Sequence, residues 1–576
     1  MSILEAGFAE GYACLSAWAD LLDRINVFPV ADGDTGANLR ISLGPLRCCG
    51  SERESVAVQI VRSATGNSGN IAAAFFSELL LAQNVEQLPE RSAAGRDRAW
   101  RAVAAPQGGT MLDLFDSLAE ILPLYSPPTA ASCETILAAL RQTVLNTAQT
   151  LPDLQSAGVV DSGALGMYLF FDGFLRTITG CTQAGMPLLS QFPGRLSVVA
   201  GFRPAATQAH CIDAILQPAE GRALDRKALT LLGESVVMLP DQGRVKIHIH
   251  TADPIALRTR FASLGEVVSW SDEPLAASSE SRPSGNGASC CLHIMTDAAG
   301  SLPRDLARRH AITLLDSFII TGDSARPESL CEPAAVYGLM RQGHKVTTAQ
   351  ASLSERHRLY ASVCEQFGRT LYLCVGSAFT GNYATALAWQ RQQDANDRLE
   401  VIDTGAASGR LAVIALLTSR LAARTGDAEA VRAYARHLVD HCREYIFIDT
   451  LRYLAAGGRV SRANGFFGDL LHLKPVISPT REGVRRMGLV RDRESQLTFA
   501  LEKAGAEIAV PANAVLLLQY SDNQQWVSEV VQPQLQALLP RAEILLVPLS
   551  LTSGVHMGPG TWSLAFAEGG LRCARP

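Results

Sequence analysis

Apolar residues recur at helical spacing from the start of the chain. Leu4, Phe8, Leu15, Trp18, Leu22 and Ile25 form one stripe and predict that residues 1–25 are helical. The same period predicts helices near 53–65, 70–83, 111–123, 133–149 and 164–177, with little strand signal between them. The region to about residue 195 is therefore expected to be all-α. From about 196 to 275 the period shortens: Val245-Lys246-Ile247-His248-Ile249-His250-Thr251 alternates apolar and polar side chains, as a strand with two unlike faces does. Residues 276–289 are rich in Ala, Ser and Gly and predict a flexible linker with an r.m.s. span of roughly 20 Å. Beyond 290, strand-like runs at 292–296, 371–375, 399–402, 445–448, 514–519 and 543–547 alternate with helical stretches and predict an α/β domain. Asp297, Ser377 and Asp403 stand where strands end. In an open parallel sheet such positions border one ligand crevice, although Asp403 is better placed as a helix cap. The expected domains are 1–195, 196–275 and 290–576, with the linker at 276–289.

Composition narrows the class. At 576 residues and 61.6 kDa the chain needs about three or four domains, and 47% hydrophobic with 19% charged residues is globular. A net charge of −5 without a basic block argues against a nucleic-acid partner. No apolar run reaches the roughly 20 residues of a membrane span. The N-terminal stretch has no signal-peptide pattern. The 13 cysteines include no CxxC pair, so a reducing, cytoplasmic setting is expected rather than a disulfide framework.

The densest chemistry lies in Asn26-Val27-Phe28-Pro29-Val30-Ala31-Asp32-Gly33-Asp34-Thr35-Gly36-Ala37-Asn38. Asp32 and Asp34 flank a glycine, and a tight loop there aims both carboxylates at one point, as a hard cation such as Mg²⁺ requires. A bare Asp-Gly-Asp would be a solvated turn; here an apolar run anchors one side and a helical pattern opens on the other. Thr65-Gly66-Asn67-Ser68-Gly69-Asn70 feeds a second helix, whose free N–H groups suit a phosphate, though alone it is only a helix start. Asp161, in Val159-Val160-Asp161-Ser162-Gly163, is placed as an N-cap. His248 and His250 share one strand face and form a half-site for zinc, with Cys211 the obvious third ligand. HxH alone could be two strand histidines. Three ligands leave one position open, so a zinc there could be catalytic or structural.

The first of these stretches resembles NVFPVPDGDTGTN, a signature of the kinase component of bacterial fatty acid kinase. The nucleotide domain of that component is related to the ATP-binding domain of dihydroxyacetone kinases. The resemblance implies a barrel of antiparallel helices with ATP at one mouth. It implies two Mg²⁺ held by Asp32 and Asp34, with Asn26 where dihydroxyacetone kinases have a third aspartate. It also implies nucleotide contacts from Thr35, Gly36 and Asn38, from Asn67, Ser68 and Gly69, from Gly109 and Thr110, and from Asp161 and Gly163. Cys211 followed by His248-x-His250 is similar to the zinc-binding middle domain of the same component, a small α+β fold. Residues 290–576 resemble the DegV family, two-lobed α/β acyl-binding partners of fatty acid kinase. Met295-Thr296-Asp297, Thr347–Ser352, Gly376–Tyr383, Gly457-Gly458-Arg459-Val460-Ser461, Leu473-Lys474-Pro475 and His556–Gly560 carry that likeness. Carried over, Thr348 and Ser377 bind the fatty acid carboxylate, while Arg459, Lys474 and His556 supply positive charge near the phosphoryl acceptor. Where the family has TSQPS and SSxLSGT this chain has TTAQAS and GSAFTGN, losing one serine at each site.

Together these likenesses imply a fused fatty acid kinase that makes acyl phosphate and ADP from ATP and a fatty acid. Fusion makes docking intramolecular, with a millimolar-scale effective concentration. A homodimer, peripheral membrane contact for lipid exchange and a downstream acyltransferase are further expectations. One alternative is a dihydroxyacetone kinase-like enzyme, although nothing resembles the domain that carries its covalent substrate histidine. The other is a non-catalytic lipid-binding or regulatory protein, which the lost serines permit and the intact kinase motifs oppose.

Overall fold

In the computed structural model the chain divides into two compact units, Met1–Gly285 and Asn286–Pro576. The structure describes residues 2–50, 52–183, 185–204, 209–220, 224, 226–275, 291–456 and 473–569. The 276–289 linker, Arg459 and the glycine-rich segment around it lie outside these.

The first unit begins with helices α1 (Ile3–Ala17), α2 (Ala19–Ile25), α3 (Thr35–Ser42), α4 (Arg53–Ser63), α5 (Gly66–Leu79), α6 (Leu88–Ala102), α7 (Met111–Ile121), α8 (Ala130–Thr150), α9 (Pro152–Ala157) and α10 (Ser162–Thr179). The start of α1 is fixed by a capping box in which Ser2 and Glu5 exchange side-chain and backbone bonds of 3.0 and 3.2 Å. Helices α1 and α10 approach closely because glycines face the contact: a Cβ on Gly11 would lie 2.8 Å from the Phe170 carbonyl oxygen, and one on Gly173 2.7 Å from that of Glu10. Aromatic rings fill the interior, with Phe75 stacked on Phe115 at 4.0 Å and Phe76 edge-on to Phe170 at 4.5 Å. Hydrophobic periodicity misses α6. After Leu88 its buried face is Ser92, Gly95, Ala99 and Ala102, small residues that let the helix sit against the Phe75 backbone without an apolar signal.

The rest of this unit is a four-stranded antiparallel sheet of β1 (His210–Pro218), β2 (Glu234–Asp241), β3 (Arg244–Thr251) and β4 (Gly265–Pro274), in the order β2-β3-β1-β4. Strand alternation splits its faces. Ile212, Ala214, Leu216, Ile247 and Ile249 pack with Leu257 and Phe261 of the helix Pro254–Leu264. The opposite, polar face meets the helices. The Lys246 ammonium donates to the carbonyls of Arg62, at 3.1 Å, and Ala64, where α4 ends. Ala104 N donates to Val236 O at 2.9 Å, and Val237 and Leu239 join the helical core. The middle segment is thus bonded into the helical region.

The second unit holds β5 (His293–Asp297), β6 (Ile312–Leu315), β7 (Ser317–Thr321), β8 (Ser324–Pro327), β9 (Val346–Gln350), β10 (Thr370–Cys374), β11 (Leu399–Asp403), β12 (Arg443–Phe447), β13 (Lys474–Thr480), β14 (Gly483–Val490), β15 (Ala514–Tyr520), β16 (Glu543–Pro548) and β17 (Trp562–Glu568). Among the described residues only β11-β10-β5-β6 is an all-parallel sheet. The six-stranded sheet β14-β13-β12-β17-β15-β16 is mixed: β15 and β16 pair in parallel, while its other neighbours are antiparallel, β14 returning beside β13 through the short turn before Gly483 (φ +111°). A third sheet, β8-β7-β9, is antiparallel. The helix Ser408–Ala422 is buried nearly all round and packs on strands of both larger sheets. The Glu444 carboxylate, from β12, accepts its first N–H groups, Gly409 and Arg410, each at 3.0 Å.

Gly11→Ala tests the α1–α10 contact. The added methyl meets backbone, so the unfolding transition followed by circular dichroism is expected to fall by the equivalent of about 1–3 kcal/mol; an unchanged transition would contradict this packing.

Candidate functional site

Four helix N-termini open onto one cavity of about 500 Å³ in the first unit, contributed by α3 (Thr35), α5 (Gly66, Asn67, Ser68), α7 (Met111, Leu112) and α10 (Ser162, Gly163). Aligned peptide dipoles make such ends favourable for anions. Each end nevertheless already has a protein carboxylate. Asp23 Oδ1 accepts from Gly36 N at 2.7 Å and Ala37 N at 3.2 Å. Asp213 Oδ2 accepts from Gly66 N at 2.9 Å, and Asp113 Oδ2 from Thr110 N at 2.9 Å. Asp161 Oδ1 accepts from Ala164 N at 2.7 Å, so Asp161 is an N-cap that also lines the cavity. No lysine or arginine is among the described residues lining it. Phosphates entering here therefore need cations of their own.

Asp32 and Asp34 supply the place for them. Both line the cavity, and Asp34 precedes α3 without using its side chain as a cap. Burial raises the Asp32 carboxyl above its ordinary range, and burial together with the neighbouring Asp32 charge raises Asp34 well above it. A divalent cation between them relieves that cost, so the pair fits Mg²⁺. Asn26 also lines the cavity, and its amide donates to Asp32 Oδ1 at 2.7 Å, holding that carboxylate in place. Of the other expected nucleotide contacts, Thr35, Asn67, Ser68, Thr110 and Gly163 face the cavity. Gly36, Asn38, Gly69 and Gly109 stand behind it. A Cβ on Gly36 would lie 2.1 Å from Ala19 O, one on Gly69 2.1 Å from Ser42 Oγ, and one on Gly109 2.6 Å from Thr150 Cβ. Asn38 packs on Gly66 and hydrogen-bonds Asp34.

Cys211, His248 and His250 open onto the same cavity, from the sheet. Register places Cys211 opposite His250 and Asp213 opposite His248 on β1 and β3. One ligand atom from each of Cys211, His248 and His250 lies within 4.8 Å of the other two, and the two Nε2 atoms are 3.2 Å apart. Nδ1 of His250 is buried with no hydrogen-bond partner among the described residues. Two ring nitrogens and a thiol converging at this spacing fit a tetrahedral zinc site with one open position. Burial, then the Asp213 charge, raises the Cys211 thiol, and bound zinc would hold it as thiolate. Sequence reasoning missed Asp213, although alternation along β1 sets it on the face of Cys211. It also missed Asp23, for which a helical stripe offers no signal.

In the second unit Thr348 Oγ1 lies 3.2 Å from His556 Nε2, which joins two expected head-group residues. Lys474 pairs with Asp449 at 2.5 Å. Ser377 is exposed after β10, with its N–H on Asp403 Oδ1 at 3.1 Å. Asp403 also accepts from Gly405 N at 3.1 Å, so it ties two strand-end loops together instead of capping a helix. Buried Asp297 accepts from Val375 N, Tyr372 and Asn382 at 2.6–2.7 Å and fixes the start and end of the Ser377 loop. These carboxylates gather the ends of β5, β10 and β11 at one edge, and the hydroxyl of Ser377 is left accessible there.

Three family profiles match the chain in sequence order: the DAK2 domain over residues 29–176, the FakA-like middle domain of fatty acid kinase over 209–281, and the uncharacterised DegV family over 291–569. The chain therefore combines a DAK2 domain, a FakA-like middle domain and a DegV-family domain. An uncharacterized protein of Staphylococcus saprophyticus is 28% identical over 295 residues, covering 45% of this chain and 52% of that protein. Protein YloV of Bacillus subtilis is 27% identical over 324 residues, covering 48% and 58%. The chain thus spans about half the length of these relatives. A DegV domain-containing protein of Caldanaerobacter subterraneus is 24% identical over 278 residues, covering 48% of this chain and 99% of that protein. A solved structure described as fatty acid binding of a DegV family protein from Thermus thermophilus is 25% identical, covers 48% of this chain and 99% of its own, and has a TM-score of 0.45. No helix among the described residues is long and apolar enough to cross a membrane.

Burial pushes the Asp161 carboxyl up to about 7. The folded protein then holds that proton more tightly than the unfolded chain does, so stability falls as pH rises from about 4 to about 7 and the loss is complete above 7. Asp161→Asn keeps an N-cap oxygen and removes the charge. Without Mg²⁺ or nucleotide, this variant is expected to lose up to one proton from the pH dependence of unfolding, on the order of 4 kcal/mol at most between pH 4 and 8. An unchanged dependence would show that Asp161 titrates normally.

Proposed function

We propose that the chain is an ATP-dependent fatty acid kinase. Its DegV-family domain binds a fatty acid, and its DAK2 cavity binds the nucleotide whose γ-phosphoryl group is transferred. The observation that carries this reading is the cavity itself: four helix N-termini, a facing pair of carboxylates, and no lysine or arginine among its described lining residues. That is an environment for phosphates accompanied by metal ions. The acyl acceptor is supported by the match to a FakA-like middle domain and by the motifs around Thr348, Ser377 and His556.

Asp32 and Asp34 would hold Mg²⁺, which would supply charge neutralisation for the ATP phosphates. Asn26 holds Asp32, and Asn38 holds Asp34. Asp23 and Asp161 keep α3 and α10 aimed at the cavity. Phe28, Val30, Ile71 and Val103 give the cavity apolar lining for a base. Cys211, His248 and His250, which line the same cavity, would hold zinc. In the DegV-family domain Thr348, Ser377 and His556 would donate to the fatty acid carboxylate, and Lys474 would supply positive charge to the phosphoryl acceptor; Arg459, of the same motif set, lies outside the described residues. A carboxylate oxygen attacks the γ-phosphorus, the bond to the β–γ bridging oxygen breaks, and ADP leaves with that oxygen. No protein nucleophile is required.

Incubation with Mg-ATP and a fatty acid panel, followed by hydroxylamine, is expected to yield fatty acyl hydroxamates. Asp34→Ala and Ser377→Ala should each reduce the yield at least about 100-fold. Nucleotide and lipid bound by the wild type without hydroxamate would favour a non-catalytic lipid-binding protein. Metal analysis is expected to find zinc, lost in Cys211→Ala; its retention there would refute the ligand assignment.

A further inference from the structure

Asp213 belongs to neither ligand set, yet it touches His248 of the Cys–His–His group and the turn that leads into Asn67 and Ser68. Oδ1 lies 3.4 Å from His248 Nδ1 and accepts from Asn70 Nδ2 at 3.1 Å. Oδ2 accepts from Gly66 N at 2.9 Å and from Thr65 Oγ1 at 3.2 Å. The other ring nitrogen of His248 faces His250 at 3.2 Å, inside the Cys–His–His group. One carboxylate therefore orients a metal-binding imidazole and also ties down the turn whose next residues, Asn67 and Ser68, line the cavity. Cross-strand pairing with His248 keeps Asp213 from shifting independently of β3.

We propose that Asp213 is a positioning residue that couples metal occupancy of Cys211, His248 and His250 to nucleotide binding at the Gly66–Ser68 turn. The proposal rests on reading the cavity as a Mg-nucleotide site. Two physical effects act in the same direction. A metal on His248 Nε2 fixes the imidazole and strengthens its Nδ1–H as a donor, which fixes the carboxylate and, through Gly66, Thr65 and Asn70, the start of α5. The metal's charge also offsets a carboxylate that otherwise faces an incoming phosphate from the helix N-terminus. Linkage makes the effect reciprocal, so nucleotide tightens zinc by the same factor. A carboxylate serving only as a helix cap would stabilise α5 and couple nothing.

The test uses the full chain, a non-hydrolysable ATP analogue with excess Mg²⁺, and a zinc-selective chelator, with analogue affinity measured by titration calorimetry. In the wild type, removing zinc is expected to weaken the analogue about tenfold. Asp213→Asn should bind zinc about 10–100-fold more weakly. At zinc levels that saturate this variant, its analogue affinity should respond to zinc by less than about twofold. Asn70→Ala cuts only the helix side; it should keep wild-type zinc affinity and narrow the response, and it serves if Asp213→Asn does not fold. A zinc-loaded wild type whose analogue affinity ignores zinc, a wild type that binds no zinc, or an Asp213→Asn variant with the full tenfold response would overturn the coupling. Failure of the analogue to bind the wild type in either zinc state would overturn the nucleotide reading, and the coupling with it.

Discussion

Asp32 and Asp34 face one another in a partly enclosed cavity, and two carboxylates so placed cannot both keep their charge cheaply without a cation. The rest of the first unit enforces that conflict. The helix ends that would welcome an anion are each occupied by another carboxylate, from Asp23, Asp213, Asp113 and Asp161. The cavity thus combines strong anion-binding dipoles with an excess of fixed negative charge. Metal ions would reconcile the two: they would satisfy the aspartates and make a phosphate-bearing ligand welcome at the same helix ends.

The middle domain extends the same logic. Its sheet turns an apolar face to its own helix and a polar face to the cavity, so Lys246, Asp213 and the Cys–His–His group all point toward the DAK2 helices. Lys246 neutralises the end of α4, while Asp213 caps the start of α5. The Cys–His–His group on this face is thereby part of the cavity wall.

Much of this was legible in the sequence, for identifiable reasons. The Asp32–Asp34 loop announces itself because glycine and alternate carboxylates make a local pattern, and strand alternation alone brings His248 and His250 together. What sequence order hides is convergence. Nothing in the spacing of Cys211 and Asp32 says that they share one cavity, since that follows from the docking of β2 and β3 on α4–α6. Helix α6 was silent because its buried face is made of small residues. Strand β14 was silent because its exposed, arginine-bearing segment has no apolar run, so the antiparallel edge of the six-stranded sheet went unread. In the DegV-family domain the motifs marked Thr348, Ser377 and His556, but not the division of labour around them. Asp297 and Asp403 hold the loop that carries Ser377, and Asp449 already pairs with Lys474.

The central claim is that a fatty acid carboxylate attacks the γ-phosphorus of ATP on this chain. It is tested most directly by ³¹P NMR of a reaction with Mg-ATP and a fatty acid labelled with ¹⁸O in its carboxylate. The account predicts an acyl phosphate resonance shifted by one bridging ¹⁸O, appearing in step with ADP. ADP accompanied only by unlabelled inorganic phosphate, or no ATP consumption at all, would contradict it.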